Sequence, residues 1–205
     1  MLTYYNHFDP LDFFGAENTC RPSFQSGALP KAPRKLETWE AKLETSGMNL
    51  PYEEILSGET VLRSAPDSRH EAICNRLHVA MTASVANVPA TQLLVPRTKL
   101  QISRNTTLCP DLALVTSASG KLFLAVEIVS REDHRADTVV KKEIYEEIRV
   151  PRLWMVDPRY DNVEVYHSTE FGLQLKGILA GSEILSEKLI PEFQIVINEL
   201  FAAQK

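Results

Sequence analysis

The segment Leu122-Phe-Leu-Ala-Val-Glu127-Ile-Val-Ser130 is almost continuously apolar, yet it carries a carboxylate. A run without polar alternation reads as a β-strand buried on both faces, at the centre of a sheet. Within such a strand a carboxylate is costly unless it is paired, hydrogen-bonded or bound to a metal. Glu127 therefore constrains the fold strongly, because the rest of the chain must bring it a partner. A second acid, Asp111, opens the preceding apolar strand, 111–116. The two are 127 − 111 = 16 residues apart, the length of one strand, a turn and the return strand, so a hairpin would bring the carboxylates together.

The neighbouring pattern supplies the rest of an α/β core. A hairpin is expected from Glu53 to Ser64 about Gly58, then a helix from about Arg69 to Ala86, capped by Asp67-Ser68, with Ile73, Leu77, Ala80, Met81 and Ser84 on one face. Residues 93–103 read as one further strand. Asp137–Ile148 is amphipathic and ends before Pro151, and Leu153-Trp-Met-Val-Asp157 is a second buried strand. A helix between strands 122–130 and 153–157 predicts a right-handed βαβ unit. Val163–His167 and Leu173–Leu179 form a hairpin about Phe171-Gly172, and Phe193–Phe201 closes the chain as a helix or strand on the sheet's edge. Residues 1–35, with four prolines and no sustained apolar period, read as an arm that is poorly ordered or packed on a partner. Residues 36–205 form the domain, starting with a short helix at Leu36.

At 205 residues and 44% hydrophobic composition, the chain suffices for one ordinary core. It has no apolar stretch of about 18 residues and no basic-then-apolar leader, so the expectation is a cytoplasmic protein without a membrane span. Cys20, Cys74 and Cys109 form no CxxC pair and point to neither a disulfide framework nor structural zinc. The net charge of −5 argues against constitutive, tight nucleic-acid binding. The charge is uneven, however: residues 60–160 hold 14 Lys+Arg and 11 Asp+Glu, a net of 14 − 11 = +3. That balance permits a nucleic-acid substrate without requiring one.

Two carboxylates at adjacent strand ends suit Mg²⁺ or Mn²⁺, which take oxygen ligands and keep several waters. Such an ion can polarise a phosphodiester and generate a hydroxide nucleophile. On the following helix Asp137, Lys141 and Tyr145 recur every four residues and share a face. If that face looks back at Glu127, the Lys141 ammonium is placed to orient the attacking water or offset phosphorane charge.

Pro110-Asp111, Val126-Glu127-Ile-Val-Ser130, Asp137-x-x-x-Lys141-x-x-x-Tyr145 and Leu153-Trp-Met-Val-Asp157-Pro158, in that order, resemble the Uma-two family of the PD-(D/E)XK nuclease superfamily. Tyr52-Glu-Glu54-Ile-Leu-Ser-Gly58-Glu59, His70 near the start of a helix, and Leu189-Ile-Pro-Glu-Phe extend the likeness over residues 36–202. The resemblance implies a restriction-endonuclease-like fold of the α/β (α+β) class, with a mixed central β-sheet flanked by helices. It also implies a metal-dependent endonuclease acting on DNA, with Asp111 and Glu127 as metal ligands and a lysine completing the catalytic set. Where the superfamily places its lysine, two residues after Glu127, this chain has Val129. The role then passes to the next helix, where Lys141 is in step with Asp137 and Tyr145, and Lys142 stands beside it. Glu54, Glu59 and Glu71 are candidates for an accessory acid, and a nuclease that cuts both strands suggests a homodimer.

Plainer readings stand beside these. Asp111 after proline is ordinary turn chemistry, and Asp137 with Lys141 makes an ordinary i,i+4 ion pair. His70 and His78 read as a cap residue and a surface residue, because no further transition-metal ligands are spaced around them. Ser130 and His134 lack the elbow and orienting acid of a hydrolase. Trp154 reads as core and Asp157 as a turn cap. A catalytically silent interaction module that keeps the nuclease fold is the alternative function.

Overall fold

The computed structural model describes residues 50–203. The arm 1–35, the helix expected from Leu36, and Cys20 lie outside the described residues. The chain begins with a hairpin, β1 (Tyr52–Leu56) and β2 (Glu59–Arg63), whose two-residue turn sets Ser57 at φ 53° and Gly58 at φ 93°. Positive φ at both central positions is the geometry that matches strand twist in tight hairpins, and it is why glycine serves here. Helix α1 (Ser68–Val85) follows, and the Asp67 carboxylate accepts the His70 backbone N–H at 2.7 Å as its cap. Its buried residues Ile73, Cys74, Leu77 and Met81 recur at helical spacing and make one face.

The single strand expected over 93–103 is instead two. Strand β3 (Thr91–Leu93) pairs with the central sheet, and β4 (Leu100–Ser103) pairs with β5 (Thr106–Leu108) beside the first hairpin. Pro96 has no N–H to give a ladder, and Arg97 adopts φ 57°, so the chain turns there and leaves one sheet for the other. Next come β6 (Leu112–Thr116) and β7 (Leu122–Ile128), an antiparallel pair. A π-helical turn (Ala136–Lys141) then runs into α2 (Lys142–Glu147), and β8 (Arg152–Asp157) returns parallel to β7. Strands β9 (Asn162–Thr169) and β10 (Gly172–Ala180) form the expected hairpin. The closing segment is both strand and helix: β12 (Ile190–Val196) pairs with β11 (Ile184–Glu187) in a separate ribbon, and α3 (Ile197–Leu200) ends it.

The six-stranded sheet has the order β10-β9-β8-β7-β6-β3, a mixed sheet with β7 and β8 at its centre. Strand alternation divides the core in two. Leu124, Val126, Ile128, Trp154 and Val156 face α1 and the β11–β12 ribbon, where Phe193 stacks on Trp154 with centroids 5.4 Å apart. Ala125, Val129, Leu153 and Met155 face the other way, toward Leu56, Leu108, Ile144 and Tyr145. Cys74 and Cys109 are buried thiols within this core. By the same alternation Glu127 joins the second layer, beneath the four-stranded sheet of order β2-β1-β5-β4.

Removing the buried ring in Phe193→Ala should cost about 3–5 kcal/mol of unfolding free energy. The same change at Phe171, 80% exposed, should stay within about 0.5 kcal/mol. Urea titrations of the two variants against the parent protein measure the contrast.

Candidate functional site

Carrying the antiparallel register one step past the Leu112–Val126 pair sets Asp111 opposite Glu127. Directly opposed residues share a face of the sheet. The expected hairpin therefore does set the two acidic residues at opposed positions at the strand ends. Asp111 is buried. Its Oδ2 accepts the Ile128 backbone N–H at 2.8 Å, and its Oδ1 accepts His70 Nε2 at 2.8 Å and Arg97 Nε at 3.1 Å. Burial alone would raise this carboxyl, but His70, Arg97 and the Ile128 N–H outweigh it and hold the group well below the usual carboxylate range.

Glu127 is buried too. Lys141 Nζ donates to its Oε2 at 2.7 Å and the Tyr145 hydroxyl to its Oε1 at 2.5 Å. The helix face bearing Asp137, Lys141 and Tyr145 thus looks back at Glu127, as the four-residue spacing implied. In a regular α-helix residues four apart drift by about 40°. The π turn at Ala136–Lys141 winds more widely and takes up that drift, so all three side chains are buried together.

Lys141 has no exposed surface, and besides Glu127 it meets Glu54 Oε1 at 3.1 Å. Glu54 alternates inward on β1, and its Oε1 also accepts the Cys109 N–H at 2.6 Å. Arg63 ends β2 and bonds Asp137, whose other oxygen accepts the Ser130 N–H at 3.0 Å; it also approaches Glu54 at 3.6 Å and Asp133 at 3.4 Å. Burial pushes the Glu127 carboxyl up. Lys141 opposes this, and Glu54, Asp111 and Asp137 keep the result above the ordinary value. Burial would lower Lys141, yet Glu127, Glu54 and Asp137 hold it above the ordinary lysine value. The ammonium therefore stays charged, and the cost falls on the last negative charge of the carboxylate cluster.

Of the accessory acids, Glu54 belongs to this cluster. Glu71 instead pairs with Arg97 at 2.6 Å, one step behind Asp111, and Glu59 is exposed on the hairpin. His70 corrects the expectation of a mere cap: the first turn of α1 is aimed at the end of β6, which buries the ring against Asp111. Arg63, Arg97 and Tyr52 were not singled out from the sequence. The signal available was alternation, since Tyr52, Glu54 and Leu56 share one side of β1, and Arg63 lies opposite Tyr52.

A cleft of about 220 Å³ opens onto Asp111. Tyr52, Arg63, His70 and Ser130 line it, and Arg69, Arg131 and Arg159 stand around it together with Asp67, Glu132 and Asp133, so its lining mixes both charges. Glu127 and Lys141 lie behind this surface.

A family model described as "Putative restriction endonuclease", Uma2, matches residues 36–198. The chain belongs to the Uma2 family. Among solved structures, the Uma2 chain resembles one described as a putative nuclease belonging to DUF820 from Anabaena variabilis ATCC 29413. The TM-score is 0.64 at 14% identity, covering 80% of this chain and 96% of the other. At that identity the likeness establishes the fold, a restriction-endonuclease-like α/β architecture with a mixed central sheet. A comparison with curated proteins finds no match.

Lys141→Met should destabilise the Uma2 fold by about 3–5 kcal/mol, because Glu127 and Glu54 are left buried without their cation. Adding Glu127→Gln should recover part of the loss in the same denaturant titration. The Glu127 carboxyl binds its proton more tightly folded than unfolded. Its contribution is full below the ordinary glutamate value near 4.5 and is lost as pH rises through the raised folded value. In chelator, thermal stability should therefore fall from pH 5 toward pH 8 more steeply for the parent protein than for Glu127→Gln.

Proposed function

We propose that this chain is a metal-dependent endonuclease that hydrolyses phosphodiester bonds in DNA, with Asp111 and Glu127 holding Mg²⁺ or Mn²⁺. The observation that carries this reading is the pair of buried acids at opposed positions of adjacent strands, one of which, Asp111, opens onto a cleft. The donor set fits such an ion. A carboxylate offers about four acceptor directions. The hydrogen bonds of Glu127 come one to each oxygen, and Asp111 Oδ2 accepts one, so directions remain for a hard cation. Among the described residues no group of three or more His, Cys, Asp or Glu forms a metal cage. A two-carboxylate set, completed by water and substrate phosphate, is the arrangement Mg²⁺ favours.

When bound, the ion polarises the phosphodiester and lowers the pKa of water. The chain's own groups do the rest. His70, Arg97 and the Ile128 N–H fix the Asp111 carboxylate, and Lys141 with Tyr145 fixes that of Glu127. Lys141 lies behind the cleft surface, so its part is to aim Glu127 and steady its charge rather than to touch water or substrate. Arg131, exposed at the cleft, favours a phosphate arriving from solvent.

A second reading, a silent interaction module that keeps the fold, draws on Val129 where the superfamily has lysine and on the closed position of Glu127. Calorimetry separates the two. The nuclease reading expects Mn²⁺ binding that Asp111→Asn weakens by at least tenfold, together with Mg²⁺-dependent nicking of plasmid DNA that Asp111→Ala abolishes. No metal binding dependent on Asp111 and Glu127 supports the module, and cutting that persists in chelator refutes the nuclease assignment.

A further inference from the structure

The turn between β8 and β9 carries Pro158, Arg159, Tyr160 and Asp161. Pro158 and Arg159 line the cleft onto which Asp111 opens. Tyr160 is 70% exposed, and isolated surface aromatics are common enough to need no explanation. Here the surroundings are specific. Arg159 Nε and NH2 grip the two oxygens of Asp157 at 3.0 and 2.6 Å, a bidentate pair. Asp161 is tied to Arg69 on α1, and the Tyr160 N–H donates to the Asp157 carbonyl at 3.3 Å. Both flanks of the tyrosine are thus held, and its ring is presented to solvent. The Arg159 guanidinium lies over the ring, 5.2 Å from its centroid, so a residue lining the cleft supports the exposed tyrosine from one side.

Exposed aromatic rings are how proteins hold an unpaired strand, because every base has a face to stack. In a duplex those faces are already used. We infer that Tyr160 is a base-stacking residue and that the cleft takes a single-stranded segment of DNA, one phosphate at the Asp111 mouth and the neighbouring base on the Tyr160 ring. This rests on the nuclease reading for the identity of the ligand.

Binding tests it without requiring cleavage. With the full chain in chelator, fluorescence anisotropy is measured with a labelled single-stranded oligonucleotide, the matching duplex, and a single strand made of abasic sugars. The single strand should bind tighter than the duplex. Tyr160→Ala should weaken it by about tenfold and Tyr160→Trp should restore it. The abasic strand should bind Tyr160→Ala and the parent protein alike. Equal affinity of Tyr160→Ala and parent for the base-bearing strand overturns the inference, as does a preference for duplex, while either leaves the nuclease reading standing. No binding of any oligonucleotide at low salt overturns the inference, and the nuclease reading is then judged by its own metal-binding and nicking tests.

Discussion

A single ammonium, buried without contact to solvent, organises the interior of this protein. Lys141 touches Glu127 from the central sheet and Glu54 from the hairpin sheet, and its own helix supplies the third element. Three parts of the fold, which also meet in the apolar cluster of Leu56, Ala125 and Ile144, are tied at one atom. A buried ion pair is a poor source of stability, since desolvation offsets much of the attraction. Its value here is positional, because the ammonium can satisfy both carboxylates only when sheet, hairpin and helix are correctly registered.

The apolar layers make that arrangement affordable. On one side of the sheet α1 and the β11–β12 ribbon build a continuous apolar core around Trp154 and Phe193. On the other, a smaller core around Leu108, Leu153 and Tyr145 borders the carboxylates. The uninterrupted layer stabilises the domain, which lets the second layer carry four buried acids. Local irregularities serve the same end: the π turn lines up the helix acids and base, and the turn at Pro96 and Arg97 brings a guanidinium to Asp111.

Much of this was legible in the sequence. The apolar runs around Glu127 and Trp154 located the centre of the sheet, Asp67 located the start of α1, and the four-residue spacing of Asp137, Lys141 and Tyr145 located the buried helix face. Periodicity could not reveal contacts made across sheets. Arg63 meets Asp137 over 74 residues of separation, and His70 meets Asp111 over 41. Neither pair has a local signal, since a charged residue at a strand end or in a helix's first turn is usually solvated. The strand break near Pro96 was missed for the opposite reason: the signal was present but gave way to the apolar residues around it.

These separations bear on how the protein comes into being. The Glu54 end of the cluster belongs to the first described strand, and Tyr145 belongs to a helix about ninety residues later. Contacts so distant along the chain form only after the loops between them have closed, which slows folding. A chain growing from its N-terminus therefore cannot complete the carboxylate cluster until Lys141 and Tyr145 have been synthesised and folded back. Whatever chemistry the cluster performs is withheld from the nascent chain and arrives with the finished fold.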